Sequence, residues 1–354
     1  MRQRHSDYMQ WAKTESKARF NLATSGVAAY PAAELQHGAV EINRDGGYGY
    51  APLQCAIAQH YGVDPDCVVA AAGTSMANHL AMAALLDPGD EVLIEHPAYE
   101  LLESAALYLG ARVKYFERTE ESGYALDPAA IRRAITPATK LILVTNLHNP
   151  SSALAPDSVL REIGDIARGA GARVLVDEVY LDAVYENTPR TAYHLGPEFI
   201  VTSSLTKVYG LSGLRCGWIF AEPHLARAMW RLNDLFGVNA AHPAEQLSLA
   251  AFAQLARIRE RSRRIVEADR ALLDGFLAGQ TAVSAPRTAW GTTAFIRLRK
   301  GNADAFLARL RTEFETTAVP GRFFGMPGHF RIGMGVNSEM FAEGLERLGR
   351  ALAE

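Results

Sequence analysis

The sequence predicts an α/β protein in which a mostly parallel sheet of seven strands lies between helices, with a smaller α+β domain beside it. Seven short apolar runs have the composition of strands buried on both faces. These runs lie at 67–72, 91–94, 112–116, 140–145, 173–176, 199–202 and 218–221. Helical patterns, such as those at 75–86 and 99–109, and turns rich in glycine and proline separate several of them. Strands and helices that alternate in this way typically form a parallel sheet.

The rest of the chain has a different pattern, which predicts a second domain. A helical tract covers 223–277 and is followed by strand-like segments at 292–299 and 330–334 and helical segments at 303–314 and 338–353. We expect a large α/β domain over residues 45–235. Residues 1–44 and 236–354 are expected to form the small α+β domain, so that the N-terminal arm joins the C-terminal part.

The composition excludes several classes of protein. The 354 residues carry 36 basic and 39 acidic side chains, and this balance argues against bulk nucleic-acid binding. Cys55, Cys67 and Cys216 are too few and too scattered for a disulfide framework. The first residues lack the apolar core of a signal peptide, and no apolar run reaches the roughly 18 residues of a membrane span. We expect a soluble cytoplasmic protein with no membrane or nucleic-acid partner.

Common nucleotide-binding and hydrolase motifs are absent from the sequence. No G-x-G-x-x-G follows a strand, and no P-loop motif occurs. Neither H-E-x-x-H nor G-x-S-x-G is present, and no C-x-x-C pair could begin a zinc site. Dinucleotide-binding, P-loop, metal-hydrolase and α/β-hydrolase functions are therefore disfavoured, and no metal is expected.

Two candidate catalytic residues follow predicted strands, at the sheet edge where parallel α/β folds bind ligands. Lys207 lies among hydroxyl residues after the sixth run, eight residues before Arg215, and could serve as an amine nucleophile. The alternative is an ordinary surface lysine. Asp177 ends the fifth run, three residues before Tyr180. A buried carboxylate there would need a cationic partner, and a protonated pyridine nitrogen would serve.

Three further segments each allow a ligand-binding and a structural interpretation. Asn149 lies after the fourth run and could bind a ligand or only form an Asn-Pro turn. Thr74 and Ser75 open a helix after the first run and could hold a phosphate or only cap that helix. Tyr99 could stack on a planar cofactor or fill the core.

Taken in order, these segments resemble the class I and II aminotransferases, which are fold-type I pyridoxal-phosphate enzymes. The resemblance runs from about residue 22 to residue 348. It rests on S-x-x-K ending at Lys207, on the arginine eight residues later, and on the upstream D-x-x-Y and Asn-Pro segments. It implies pyridoxal 5′-phosphate as the cofactor, an L-amino acid and a 2-keto acid as substrates, and a homodimer.

The resemblance also implies a role for each candidate residue. Lys207 would hold the cofactor as an internal aldimine and would move a proton between the substrate and the cofactor. Asp177 would pair with the pyridinium nitrogen, while Tyr180 and Asn149 would hydrogen-bond the 3-oxygen, with Asn149 also near the substrate. The other cofactor ligands would be Thr74, Ser75, Ser204 and Arg215 at the phosphate and Tyr99 on the ring.

Further matches concern the substrate and the dimer. Arg331, in the segment Phe-Arg-Ile-Gly, resembles the arginine that binds the substrate α-carboxylate with a bidentate fork. Gly26 matches a glycine that lies over the same carboxylate. Tyr48 would reach the phosphate of the neighbouring subunit, with Tyr50 as the alternative, and Arg322 is either a further site residue or structural.

The chain departs from the family pattern after Asn149. Family members often carry Asn-Pro-Thr-Gly where this chain has Asn149-Pro150-Ser151-Ser152, so the turn glycine is missing. This departure puts the local loop geometry in question more than the cofactor site.

The cofactor alone does not determine the reaction. Transamination through a pyridoxamine phosphate intermediate is the first expectation. The segments near residues 25–30 and 319–325 also resemble a branch containing capreomycidine synthase, so elimination, replacement or cyclisation of a specialised amino acid is the alternative. Effector-sensing relatives fused to DNA-binding modules are disfavoured, because no basic helix-turn-helix segment precedes Phe20 and the lysine is intact. The residues around Val27, Tyr30 and Trp218 favour a neutral or aromatic substrate side chain.

Overall fold

The computed structural model describes residues 3–354, which form eleven α-helices and thirteen strands. The helices are α1 (Asp7–Thr14), α2 (Ala51–Tyr61), α3 (Thr74–Leu85), α4 (Glu100–Tyr108), α5 (Pro128–Ala134), α6 (Asp157–Ala170), α7 (Pro223–Asn233), α8 (His242–Phe252), α9 (Leu255–Ala278), α10 (Ala303–Phe314) and α11 (Ser338–Ala353). The strands are β1 (Phe20–Asn21), β2 (Val68–Ala72), β3 (Glu91–His96), β4 (Arg112–Glu117), β5 (Thr139–Thr145), β6 (Arg173–Asp177), β7 (Phe199–Ser204), β8 (Cys216–Phe220), β9 (Val283–Ser284), β10 (Thr293–Leu298), β11 (Thr316–Thr317), β12 (Val319–Pro320) and β13 (His329–Gly333).

Seven strands form the large sheet, in the order β2-β8-β7-β6-β5-β3-β4. The pairs from β7 to β4 are all parallel, and β8 runs antiparallel to both of its neighbours. The central strands β5, β6 and β7 carry apolar side chains that are buried on both faces, in two separate clusters. The predicted fold class is therefore confirmed, and the seven predicted runs differ from the observed strands by at most two residues at either end.

A second layer contains an antiparallel sheet in the order β12-β13-β10-β9. Helices α9, α10 and α11 pack their apolar faces against this sheet in a separate core. Strand β1 pairs in parallel with β11, so the N-terminal arm contacts the C-terminal part of the chain. The boundaries at 45 and 235 stay a prediction. Within residues 3–354, no helix has the length and apolar character needed to cross a membrane.

Helix α3 begins in a way that matters for the site. Its first residue follows Gly73, whose φ of +81° is a left-handed conformation that glycine adopts readily. No side chain caps this helix start, whereas Ser6, Asn302 and Asn337 cap α1, α10 and α11. The free N–H groups of α3 therefore remain available to an anion at the edge of the sheet.

Candidate active site

A cavity of about 390 Å³ lies at the carboxyl ends of the parallel strands, with α1, α4 and β13 contributing to its wall. Most of the predicted site residues come together here, although they are far apart in the sequence. The predicted residues that line the cavity are Thr74, Ser75, Tyr99, Asn149, Asp177, Tyr180, Lys207, Arg215 and Arg331.

Three predicted residues do not line the cavity, and each has a definite place. Ser204 lies behind it and accepts a hydrogen bond from Thr74 Oγ1 at 2.7 Å. Gly26 packs against the backbone of Lys207, because a Cβ atom at Gly26 would lie 2.9 Å from the Lys207 carbonyl oxygen. Tyr48 is 53% exposed and donates a hydrogen bond to Asp234 at 3.1 Å.

The two residues left open by the sequence also lie outside the cavity. The ring of Tyr50 contacts the edge of His242, with 4.9 Å between the ring centroids. Arg322 forms an ion pair with Asp304 and lies 4.6 Å from the centre of the Phe323 ring. Arg322 therefore has structural partners outside the cavity. That Tyr48 or Tyr50 extends into the active site of a neighbouring subunit stays a prediction.

Lys207 points its amine into the cavity, where Nζ donates a hydrogen bond to Ser25 Oγ at 2.7 Å. Burial lowers the pKa of Lys207 to about 8, and the positive charge of Arg331 acts in the same direction. The negative charge of Asp177 opposes this shift. The amine can therefore lose its proton near neutral pH, which a nucleophile requires.

Asp177 ends β6 with both carboxylate oxygens held by neutral donors. Asn78 Nδ2 donates to Oδ2 at 2.7 Å, and the Val179 backbone N–H donates to Oδ1 at 3.0 Å. Burial raises the pKa of Asp177 to about 6, although these hydrogen bonds favour the ionised form. Among residues 3–354 this buried carboxylate has no salt-bridge partner, so a cationic group on a ligand would stabilise it.

Hydroxyl groups and a guanidinium surround the start of α3. Thr74 Oγ1, Ser204 Oγ and Thr206 Oγ1 form a chain in which each neighbouring pair of oxygens is 2.7 Å apart. Arg215 donates to the Ala72 carbonyl at 3.1 Å, which brings its guanidinium beside the same helix start. Hydroxyls, an arginine and free backbone N–H groups together suit a phosphate.

Arg331 is a fully buried cation on β13. Its Nη1 donates to Asn149 Oδ1 at 2.9 Å, and its Nη2 donates to Tyr8 Oη at 3.1 Å. Within the described part of the chain, Nε has no hydrogen-bond partner and no carboxylate forms a salt bridge with this guanidinium. A buried, unpaired positive charge is costly, so the site favours an anionic ligand at Arg331.

Helix α1 covers one side of the cavity through aromatic contacts. The Tyr8 ring meets the Tyr99 ring edge-on, with 5.3 Å between the centroids, and Tyr99 Oη donates to Met9 Sδ at 3.5 Å. The Glu100 carboxylate fixes the helix start, because Ser6 Oγ and the Tyr8 backbone N–H donate to it at 2.7 and 2.8 Å. The N-terminal arm is therefore part of the site.

Sequence reasoning missed Tyr8 and Asn78 as site residues. Asn78 lies four residues after Thr74, so both occupy one face of α3, and this spacing was the available signal. Tyr8 gave no comparable signal, because its contact with Arg331 joins residues that are 323 positions apart. Ser25 belongs to a segment that the sequence singled out, but its contact with Lys207 was not predicted.

Residues 27–348 match the family model described as aminotransferase class I and II. The chain belongs to this family. The chain is 29% identical over 351 residues to capreomycidine synthase of Streptomyces vinaceus, covering 95% of this chain and 90% of that protein. It is 28% identical to aspartate aminotransferase of Streptomyces avermitilis, covering 86% and 80%. A PLP-dependent aminotransferase from Streptococcus suis superposes with a TM-score of 0.93 at 27% identity, covering 100% and 98%.

The family and its structural relatives identify pyridoxal phosphate as the cofactor of this protein. The cavity fits this group on three counts. The start of α3 with its hydroxyl chain offers a phosphate site, and the Lys207 amine has a lowered pKa. Asp177 has no salt-bridge partner among residues 3–354. Tyr180 is buried among them with its pKa raised to about 12, so its hydroxyl stays protonated and can donate a hydrogen bond.

Proposed function

We propose that this protein moves the amino group of an L-amino acid to a 2-keto acid. The observation that carries the proposal is the presence of two complementary groups in one cavity. Lys207 supplies a weakly basic amine, and Arg331 supplies a buried guanidinium that has no anionic partner within the part of the chain that the structure describes. An amino acid presents an α-carboxylate that the Arg331 guanidinium can bind and an α-carbon proton that a neutral Lys207 amine can accept.

When bound, pyridoxal phosphate supplies an electron-poor ring that stabilises negative charge on the substrate carbon. In the proposed reaction, Asp177 keeps the ring nitrogen protonated, and Asn78 orients Asp177. The Lys207 amine accepts the proton from the α-carbon of the substrate and then donates it to the cofactor. Arg331 holds the carboxylate through the Nε side of its guanidinium, because Nε has no hydrogen-bond partner among residues 3–354.

The lining of the cavity supports a substrate with a neutral side chain. Among the described residues that line it, the charged ones are Asp177, Lys207, Arg215 and Arg331, and each already has a proposed role. The remaining wall is largely apolar on the side of α1 and α4. It includes Met9, Ala12, Leu101, Leu102 and Ala105.

The test of the reaction is a single half-reaction without a keto acid. Protein loaded with pyridoxal phosphate is mixed with a panel of L-amino acids, and the visible spectrum and the released products are followed. Transamination predicts one equivalent of 2-keto acid per site and a cofactor that stays in its aminated form until a keto acid is added. Release of ammonia with the original spectrum restored contradicts transamination.

A second candidate is the cyclase or lyase reaction on a specialised amino acid. The observation in its favour is that the similarity to capreomycidine synthase covers 95% of this chain. In the same experiment, cyclisation predicts a cyclised product without a keto acid, whereas elimination predicts a 2-keto acid released together with ammonia. In both cases the original spectrum of the cofactor returns without an added keto acid. Equal turnover of aspartate and of neutral amino acids would contradict the proposal that the substrate has a neutral side chain.

The active unit is proposed to be a homodimer in the cytoplasm. Large exposed apolar side chains support an interface near Tyr48 and α7, because an exposed apolar patch favours association. They are Ile42, Leu235, Phe236 and Val238. Light scattering on the size-fractionated protein measures the mass directly, and a monomer at working concentration contradicts the dimer.

A further inference from the structure

Ser152 has a backbone conformation that is rare for its residue type. Its φ is +63°, in the left-handed region that favours glycine, and only 2% of the residue is exposed. Its hydroxyl has well-defined partners on the second sheet. Ser152 Oγ donates to the Thr293 carbonyl at 2.8 Å and lies 3.0 Å from Thr293 Oγ1. The strained backbone therefore directs a side chain onto β10.

Thr293 makes a second contact with the segment 149–152, which we call the Asn149 turn. Its Oγ1 donates to the Pro150 carbonyl at 3.0 Å, so one residue of β10 holds the turn at two points. Gly291 completes the contact, because a Cβ atom there would lie 2.3 Å from Ser152 Oγ. Any side chain at Gly291 would displace the Ser152 hydroxyl.

The turn that Thr293 holds also carries Asn149, which accepts a hydrogen bond from Arg331. Strands β10 and β13 are neighbours, with Thr293 paired to Gly333 and Phe295 paired to Arg331. The turn therefore meets the same strand pair at two places.

His148 fixes the opposite side of this turn. Its Nε2 lies 2.8 Å from the Pro97 carbonyl, which can only accept, so Nε2 carries the proton. Nδ1 therefore accepts from Ser151 Oγ at 2.6 Å. Burial lowers the pKa of His148 well below its usual value, which keeps the ring neutral. His148 and Ser151 therefore hold one side of the turn, and Ser152 holds the side that faces β10.

We propose that Ser152 is a positioning residue for substrate binding. It holds the Asn149 turn against β10, and Asn149 in turn holds the Arg331 guanidinium in the orientation that binds an α-carboxylate. This proposal rests on the carboxylate-binding role of Arg331 proposed above. Ser152 does not line the cavity and acts through Asn149.

The test compares Ser152→Gly with Asn187→Gly in protein loaded with pyridoxal phosphate. Glycine readily adopts the positive φ found at position 152, so Ser152→Gly removes only the hydroxyl group and the Cβ atom. Asn187 is the matched control because it has a φ of +54°, is exposed and lies outside the cavity. Ser152→Ala, which keeps the Cβ atom, separates loss of the hydroxyl from the gain in backbone freedom.

Two readouts are needed, and neither requires turnover. Amide hydrogen exchange over residues 146–153 reports the turn, and calorimetric titration with hexanoate, an unreactive carboxylate, reports the Arg331 site. Ser152→Gly and Ser152→Ala should both speed exchange in this segment and weaken hexanoate binding at least about threefold, the range of one net hydrogen bond. Asn187→Gly should change neither.

Arg331→Lys separates the two proposals. If Arg331→Lys weakens hexanoate binding but both Ser152 variants bind it like the wild type, the positioning role of Ser152 is overturned while the role of Arg331 stands. If Arg331→Lys binds hexanoate like the wild type, the carboxylate site itself is wrong. Unchanged exchange over 146–153 in both Ser152 variants also overturns the proposal.

Discussion

Asn78 of α3 links Asp177, at the end of β6, to Thr202 of the neighbouring strand β7 through two hydrogen bonds. Its Nδ2 donates to Asp177 Oδ2 at 2.7 Å, and its Oδ1 accepts from Thr202 Oγ1 at 2.5 Å. Because Thr202 fixes the amide orientation, the donor face of Asn78 must point at the carboxylate. The orientation of the Asp177 carboxylate therefore depends on Asn78, a residue of α3 that was not predicted from the sequence to belong to the site.

Asn78→Ala should weaken binding of pyridoxal phosphate by about tenfold, because a hydrogen bond to a charged group is lost. The affinity is measured by titrating cofactor into the apoprotein and following fluorescence quenching. Asn187→Ala, an exposed asparagine outside the cavity, is the control. Wild-type cofactor affinity in Asn78→Ala would show that Asp177 needs no such support.

Lys207→Ala should reduce turnover at least about 100-fold, since both the amine and its proton transfer are removed. The protein should still bind the cofactor through the phosphate site, but the pH-dependent visible absorbance of the bound cofactor should disappear. Lys300→Ala, at an exposed lysine, should keep both properties. An unchanged visible spectrum in Lys207→Ala would mean that another amine binds the cofactor.

Tyr8→Phe should raise KM for the amino acid by about tenfold and leave kcat within about twofold, because the lost hydroxyl contacts the guanidinium of Arg331. The ring contacts with Tyr99 and Phe323 are retained. Steady-state kinetics with the donor found in the panel measures both constants, with Tyr108→Phe as an exposed control. A fall in kcat at unchanged KM would assign Tyr8 a different role.

Glu178→Gln should remove a pH dependence of stability. Burial raises the pKa of Glu178 from 4.5 to about 8, and its Oε1 accepts from the Ala192 backbone N–H at 2.7 Å. Between these pH values the native state holds a proton that the unfolded state has released. The stability of the wild type therefore falls as pH rises from about 4.5 to 8, by at most about 5 kcal/mol.

Glutamine cannot ionise and keeps an acceptor for Ala192, so the variant should match the wild type near pH 4.5 and exceed it at pH 9. Urea unfolding of the apoprotein at both pH values measures the difference. Glu186→Gln, at an exposed glutamate, should leave the pH dependence unchanged. Equal stability of Glu178→Gln and wild type at pH 9 would mean that Glu178 ionises without cost.

The sequence was sufficient for the large sheet, because each strand is a local apolar run. It also indicated Lys207 and Asp177, since residues at the carboxyl ends of parallel strands meet at one edge. Arg215 reaches the same edge because it precedes β8, which runs antiparallel to β7. The tract at 223–277 proved to be three helices, α7 to α9, because local pattern does not show where packing interrupts a helix. The contacts of Tyr8 and Ser152 depend on elements distant in sequence, and no local pattern encodes them.

The attachment of α1 to Glu100 has a practical consequence for handling the protein. Ser6 and Tyr8 contact Glu100 and keep the wall of the cavity in place, so a purification tag placed beside α1 would lower apparent substrate affinity if it displaced this helix. No residue of α11 lines the cavity, so a tag on the side of α11 is the better choice for every measurement described above.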